Sequence, residues 1–313
     1  MLTRRRLAGL VPAAFPLMAG PLLAGSGNNP ACVATHGDII PILNMGGRPV
    51  VEAKMNGVPV HMLLDTGSTH TILTPGAAEV LRLPQDRLRK SYGRGIGGAT
   101  YEQNALLARF QLGAIDVERL TVPIAPMPGI LRVSQRMVGV IGQDLLASGE
   151  VDLDFAARQM IIYPRNKCRA DAPLWTAGHT SLRLYQEDDE ALALTATLNG
   201  RSMKALLDTG AAGTTISRSA FDRLGLPLPS AEAEGTASGM GSNERRVRVF
   251  QSDLLEFGEL RVRQLEVGIL MEGHIPMADM VIGMDVLGSL RLWISYLNRR
   301  VHVVVPRGSN SGP

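Results

Sequence analysis

A chain of 313 residues that is 45% hydrophobic, 19% charged and 4% aromatic, broken by 34 glycines and 19 prolines, is globular and turn-rich, which excludes disordered and coiled-coil classes. At roughly 100 to 200 residues per domain the length calls for two domains, each large enough to bury a core of its own. The net charge of +3 comes entirely from Arg4, Arg5 and Arg6: removing these three from the 32 Lys+Arg leaves 29, equal to the 29 Asp+Glu, so the body is neutral and has no electrostatic reason to bind nucleic acid.

Residues 1–24 read as an export signal. Thr3-Arg4-Arg5-Arg6-Leu7 is a cationic, twin-Arg-like start, Leu10 to Leu23 is apolar, and Ala24-Gly25 offers a small-residue cleavage site. Pro12, Pro16 and Pro21 interrupt the apolar run, which is too short to span a membrane comfortably, so a periplasmic or secreted product is expected, with an uncleaved N-terminal anchor as the alternative. Residues 25–36 are then the mature N-terminal segment. Cys32 and Cys168 are the two cysteines, and in an exported chain they are expected to form a disulfide tying that segment to the middle of the chain. The six histidines form no HExxH or His/Cys cluster, so no metal is expected.

From residue 37 on, the chain says the same thing twice. Asn56-Gly57 lies between the alternating runs Val51 to Met55 and Val58 to Leu64, the mark of a hairpin with a type I′ turn, and the second run ends in Asp65-Thr66-Gly67. A short helix is expected over 75–83, then a Gly-rich stretch around Gly95-Ile96-Gly97-Gly98, then Val140-Ile141-Gly142-Gln143-Asp144, then a closing hairpin of Val151 to Phe155 with Met160 to Tyr163. Residues 37–165 form the first lobe, and the polar stretch 166–179 is the linker. The series then recurs in order: Asn199-Gly200, Asp208-Thr209-Gly210 at an offset of 143, a helix over 217–224, Gly239-Met240-Gly241 at 144, Val281-Ile282-Gly283-Met284-Asp285 at 141, and Leu292 to Tyr296 with Val301 to Val305. Residues 180–306 are therefore a second lobe, with 307–313 as a tail. Asp144 and Asp285 can each N-cap a turn after Ile-Gly.

Asp65 and Asp208 are the best catalytic candidates, because a carboxylate ending an apolar strand sits where burial and a second carboxylate perturb its pKa. Two such acids brought together cannot both ionise. They share a proton, so that one takes a proton from water while the other donates to a carbonyl oxygen. Gly67 and Gly210 let each loop turn tightly and aim N–H groups at the carboxylates.

Leu64-Asp65-Thr66-Gly67-Ser68-Thr69 and Leu207-Asp208-Thr209-Gly210-Ala211-Ala212, each followed by a Gly-rich hairpin and Val-Ile-Gly, resemble the aspartic proteases, and the half-length and Ile-Gly-x-Asp ending are more similar to retropepsin-like domains than to pepsin lobes. The resemblance implies an all-β fold of two β-barrel lobes related by a pseudo-two-fold duplication, with few short helices and one dyad per chain. It implies that the Thr66 and Thr209 hydroxyls tie the two loops together, that a Ser68 hydroxyl bonds to Asp65, and that Ala211 leaves Asp208 without that donor. It puts flaps at Gly95, Ile96, Gly97, Gly98 and Tyr101 and at Gly239, Met240 and Gly241, and has Asp144 and Asp285 reach Thr71 and Thr214. Gln143 and Met284 stand where retroviral relatives usually carry Arg, so the bracing ion pair of those enzymes is absent.

Gly93-Arg94-Gly95-Ile96-Gly97-Gly98 also satisfies GxGxxG, but the strand before it and the helix after it that a dinucleotide loop needs are missing from the pattern. Tyr101 fits either a flap aromatic over the dyad or a cross-strand packing role. The expected protein is a monomeric aspartic endopeptidase acting on a peptide or protein, with no cofactor, no nucleic-acid partner and no stable membrane span once the signal is removed. A catalytically silent peptide-binding protein on the same fold is the alternative.

Overall fold

The computed structural model describes residues 37–131, 136–164, 178–185, 192–230 and 234–306, together with Pro173 and Trp175. The signal, residues 25–36, most of the linker and the 307–313 tail lie outside the described residues, and with them the expected Cys32–Cys168 disulfide. The described residues are mostly strand, with five helices of four to six residues. No helix among them is long and apolar enough to cross a membrane.

Each half opens on the Asn-Gly hairpin. Strand Arg48–Met55 pairs antiparallel with Val58–Leu64, and Ala193–Leu198 with Arg201–Leu207. The turns have positive φ at both central residues (50° and 83° at Asn56 and Gly57, 46° and 78° at Asn199 and Gly200), as a type I′ turn demands. Leucines of the second strand in each hairpin are buried, which carries the chain inward to the Asp-Thr-Gly loop.

The first-lobe and second-lobe helices after these loops span Pro75–Val80 and Arg218–Asp222, shorter than their sequence patterns suggest. Thr74 and Ser217 cap them by accepting from the N–H groups of Ala77 and Ala220 at 3.2 Å each. Left-handed backbone at Arg82 and Gly225 then ends the helical geometry. The turns after Ile-Gly start at Gln143 and Met284, with Gly142 and Gly283 as N-caps in place of the expected Asp144 and Asp285. Only glycine fits there: a Cβ on Gly142 would lie 2.3 Å from the His70 carbonyl carbon, and one on Gly283 would lie 2.6 Å from that of Gly213.

An eight-stranded sheet forms the first half and a seven-stranded sheet the second, where an extra pairing of Ala193–Leu198 with Arg245–Phe257 closes the strands on themselves. The two closing hairpins do not stay in their own lobes. Gly149–Asp154 pairs antiparallel with Arg291–Ser295, from Val151↔Ile294 to Asp154↔Arg291, so that both hairpins join Asp38–Pro41 and Thr180–Arg183 in one six-stranded sheet. Every residue of Gly149–Asp154 is buried, so this strand needs neighbours from the other half on its edge and face. The core follows the sheet: Val51, Leu64, Leu153, Leu207, Leu292 and Ile294 belong to one continuous apolar cluster. The two repeats thus share one core across the seam between them. Across the seam Arg291 donates from Nε and Nη2 to the two carboxylate oxygens of Asp152 at 2.9 and 2.7 Å, and Trp175 Nε1 donates to the same buried group at 3.1 Å.

Candidate active site

Both acids sit where a buried strand ends beside a parallel neighbour. Val58–Leu64 runs parallel to Met137–Ile141, and Asp65 N donates to Ile141 O at 3.1 Å; Arg201–Leu207 runs parallel to Met280–Ile282, and Asp208 N donates to Ile282 O at 3.0 Å. The loops then turn through Gly67 and Gly210 toward each other. A Cβ on Gly67 would lie 2.4 Å from Asp208 Cγ, and one on Gly210 would lie 2.5 Å from Asp65 Cγ, so each glycine is the floor on which the opposite carboxyl rests. The two carboxyl groups therefore lie close enough for the charge of Asp208 to act directly on Asp65.

Beneath them the two threonines interlock. Thr66 Oγ1 donates to Leu207 O at 2.7 Å and accepts from Thr209 N at 3.0 Å, while Thr209 Oγ1 donates to Leu64 O at 2.7 Å and accepts from Thr66 N at 3.1 Å. Both side chains are buried, so these four hydrogen bonds, which join two loops 143 residues apart, satisfy groups that have no access to water. Behind the loops, Asp144 accepts from Thr71 N and Oγ1 at 2.8 Å each, and Asp285 accepts from Thr214 N and Oγ1 at 2.8 Å each. Those threonine hydroxyls accept in turn from Gly142 N and Gly283 N at 3.2 Å each, locking the Ile-Gly segments against the loops. Gln143 Nε2 donates to Thr66 O at 3.2 Å, so Gln143 braces the first loop with a neutral bond.

Ser68 departs from expectation. Its hydroxyl donates to the carbonyl of His70 at 2.7 Å, closing the local turn, and does not reach Asp65. The asymmetry expected between Ser68 and Ala211 therefore does not arise from a hydroxyl. Backbone groups serve both acids: Gly67 N donates to Asp65 at 3.0 Å, and Gly210 N and Ala211 N donate to Asp208 at 2.8 and 3.2 Å.

Burial raises the pKa of both acids above the ordinary carboxylate range. For Asp65 the rise is large, because the neighbouring Asp208 charge adds to burial. For Asp208 the neighbouring Asp65 carboxyl, the two loop N–H groups and the positive field of Arg48 oppose the rise. A buried pair so placed disfavours double ionisation, and the positive field of Arg48 favours charge on Asp208. One signal in the sequence marks Arg48, which opens strand Arg48–Met55: at the repeat offset its place in the second copy is taken by Ala191, so it breaks the duplication beside the two acids. Arg48 is itself buried enough to lower its own pKa. Replacing it by Gln removes a charge that favours ionised Asp208, so the acid limb of a kcat/KM profile is expected to move to higher pH; an unmoved limb would mean that Arg48 does not set the dyad's proton affinity.

The first flap is the hairpin of Gln85–Gly95 with Gly98–Leu112, so a strand does precede the GxGxxG stretch, and a strand, not a helix, follows it. The second spans Glu234–Ala237 and the start of Arg245–Phe257. Their tips meet: Gly97 N donates to Met240 O at 3.0 Å, Asn243 Nδ2 to Gly97 O at 3.0 Å, Arg245 Nε to Ile96 O at 3.2 Å, and Gly241 N to Pro126 O at 3.0 Å. Gly95, Gly97 and Gly241 permit this approach, since a Cβ on any of them would fall within 3 Å of the opposing backbone. Gly98 turns the first tip at φ +115°, and Gly239 lies against Ile96. Tyr101 does not overhang the acids. It is largely exposed and packs across the hairpin on Tyr92, with ring centroids 4.9 Å apart.

A family model for aspartyl proteases matches residues 51–145 and 194–286, one repeat each. The chain belongs to the aspartyl protease family. No curated protein matches it in sequence. Among solved structures, the aspartic proteinase from Irpex lacteus superposes with a TM-score of 0.55 over 88% of this chain and 99% of its own, at 12% identity, a likeness of fold.

In this aspartyl protease the cleft under the flaps has a volume of about 790 Å³ and runs past both acids. Its walls are apolar in a symmetric way: Ile72, Met127 and Val140 on one side and Leu206, Ile275 and Val281 on the other, each set drawn from a small apolar cluster of its own half. Such a trough suits an extended chain with apolar side chains on either side of the acids. His70 stands exposed at the rim, with Nδ1 2.9 Å from Thr69 Oγ1.

Proposed function

We propose that the protein is an aspartic endopeptidase in which Asp208 is the general base and Asp65 the general acid. A water between them loses a proton to Asp208 as its oxygen attacks the peptide carbonyl carbon, and Asp65 gives its proton to the carbonyl oxygen. The tetrahedral species collapses when the nitrogen takes the proton from Asp208, the C–N bond breaks, and the hydroxyl proton returns to Asp65. No covalent intermediate is needed. The observation that carries this reading is the pair of buried carboxyl groups, each lying against the glycine of the opposite loop, in an apolar-walled cleft. The Arg4-Arg5-Arg6 start and the apolar run after it support an exported enzyme, acting on peptides or proteins outside the cytoplasm.

A fluorogenic peptide library assayed across about pH 3 to 7 tests the reading, with Asp65→Asn as control. Cleavage by the wild type that disappears in the control is expected. Binding of peptides without cleavage at any pH would favour a silent peptide-binding protein.

A further inference from the structure

Charge is distributed unevenly in the cleft. Among the described residues lining it, Asp65 and Asp208 are the only carboxylates, and those of the second half include no other ionisable group. The wall of the first half carries Arg94 and His70. Several arginines facing solvent find a carboxylate: Arg109 with Asp116, Arg218 with Asp222, and Arg246 with Glu234 and Glu272. Arg94 makes no ion pair among the described residues.

Its guanidinium is nevertheless held in place. Nε and Nη2 of Arg94 donate to the hydroxyl of Tyr92 at 3.3 and 3.1 Å, and Tyr92 is itself held by stacking on Tyr101 across the hairpin. Tyr92 also lines the cleft. A phenol that accepts two bonds from a cation has its own proton left to donate, and Arg94 has N–H groups left beside it. Two converging donor groups of this kind, one cationic, match a group that only accepts, through two oxygens: a carboxylate.

We propose that Arg94 and Tyr92 form a subsite for a substrate carboxylate on the first-half side of the cleft, so that the preferred substrates carry apolar residues around the scissile bond and one acidic group a few residues away. The proposal rests on the endopeptidase reading. It is consistent with the dyad's chemistry: raised aspartate pKa values keep the singly protonated pair at less acidic pH, where a glutamate side chain of pKa about 4.3 is ionised. The carboxylate has two sources, an Asp or Glu side chain within a longer chain or the C-terminus of a short peptide.

Matched fluorogenic peptides with apolar residues at the cleavage point, and Glu or Gln placed in turn at each of the flanking positions, separate these cases. A second pair differs only in a free or amidated C-terminus. For wild type the Glu/Gln ratio of kcat/KM is expected to reach about five- to twenty-fold at one position, to sit in KM more than in kcat, and to shrink with added salt. In Arg94→Gln the ratio is expected to fall to about one, with partial recovery in Arg94→Lys. A preference for free over amidated C-termini with no internal preference would assign the subsite to a terminal carboxylate. Ratios near one at every position and for the C-terminal pair in wild type, or a preference that survives in Arg94→Gln, would overturn the proposal. If no peptide is cleaved, the endopeptidase reading fails, and anisotropy binding of the same peptides to the wild type and to Arg94→Gln decides the subsite by the same ratios.

Discussion

Asp208→Asn is expected to lower kcat/KM by roughly 1,000- to 10,000-fold, because the base that takes the water's proton is removed while the cleft is kept. Asp65→Asn should lose as much, since the two carboxyls act as a unit and their losses will not add. The same variants carry an opposite sign in stability. Both aspartates have folded-state pKa values above their unfolded ones, so the folded protein binds more protons, and the pair's contribution to stability weakens as pH rises from about 4 through the folded-state values. Burial of a shared, partly ionised pair therefore opposes folding near neutral pH. Asp65→Asn is expected to have a Tm at or above that of the wild type at about pH 7 while being inactive, which thermal melts at several pH values will show. A fall in Tm together with activity would mean that the acids are structural groups and not a reactive pair.

Thr209→Val is expected to cost roughly 3 kcal/mol, or about 6 to 12 °C in Tm, a large effect for a swap that nearly preserves shape. Valine leaves Thr66 N without its acceptor and Leu64 O without its donor, and neither buried group has water to turn to. The half-grip that remains, Thr66 Oγ1 between Leu207 O and Thr209 N, still connects the loops, so the chain should fold. Activity should fall further than stability explains, because the carboxyls rest directly on these loops and a displacement of a fraction of an ångström moves them out of register with each other. Thr209→Ser keeps the hydroxyl and is expected to restore most of both. Equal loss in the serine and valine variants would show that the methyl packing, not the hydroxyl, matters at this position.

Much of this molecule is local and could be read along the chain. Asn-Gly between alternating runs determines the I′ turns, because few residue pairs adopt positive φ twice in succession. The repeated order of hairpin, Asp-Thr-Gly, Gly-rich stretch and Val-Ile-Gly determines a duplicated all-β fold, and it singles out Asp65 and Asp208, since chance does not place one acid after the same apolar run twice. The pairing of Thr71 with Asp144 and of Thr214 with Asp285 was also within reach, as each lies inside one repeat. What the tertiary structure alone decided involves partners far apart in the chain, or competition between near ones. The turn after Asp-Thr-Gly gives the Ser68 hydroxyl to the carbonyl of His70 and not to Asp65. The closing hairpins of the two halves merge because a strand buried on both faces finds neighbours in the other copy, so the two repeats share a core. Arg48 reaches the acids only because strand Arg48–Met55 is paired beside the strand that ends in Asp65. The flaps latch through Asn243 and Arg245, side chains whose partners lie nearly 150 residues earlier, at a distance over which sequence pattern carries no register.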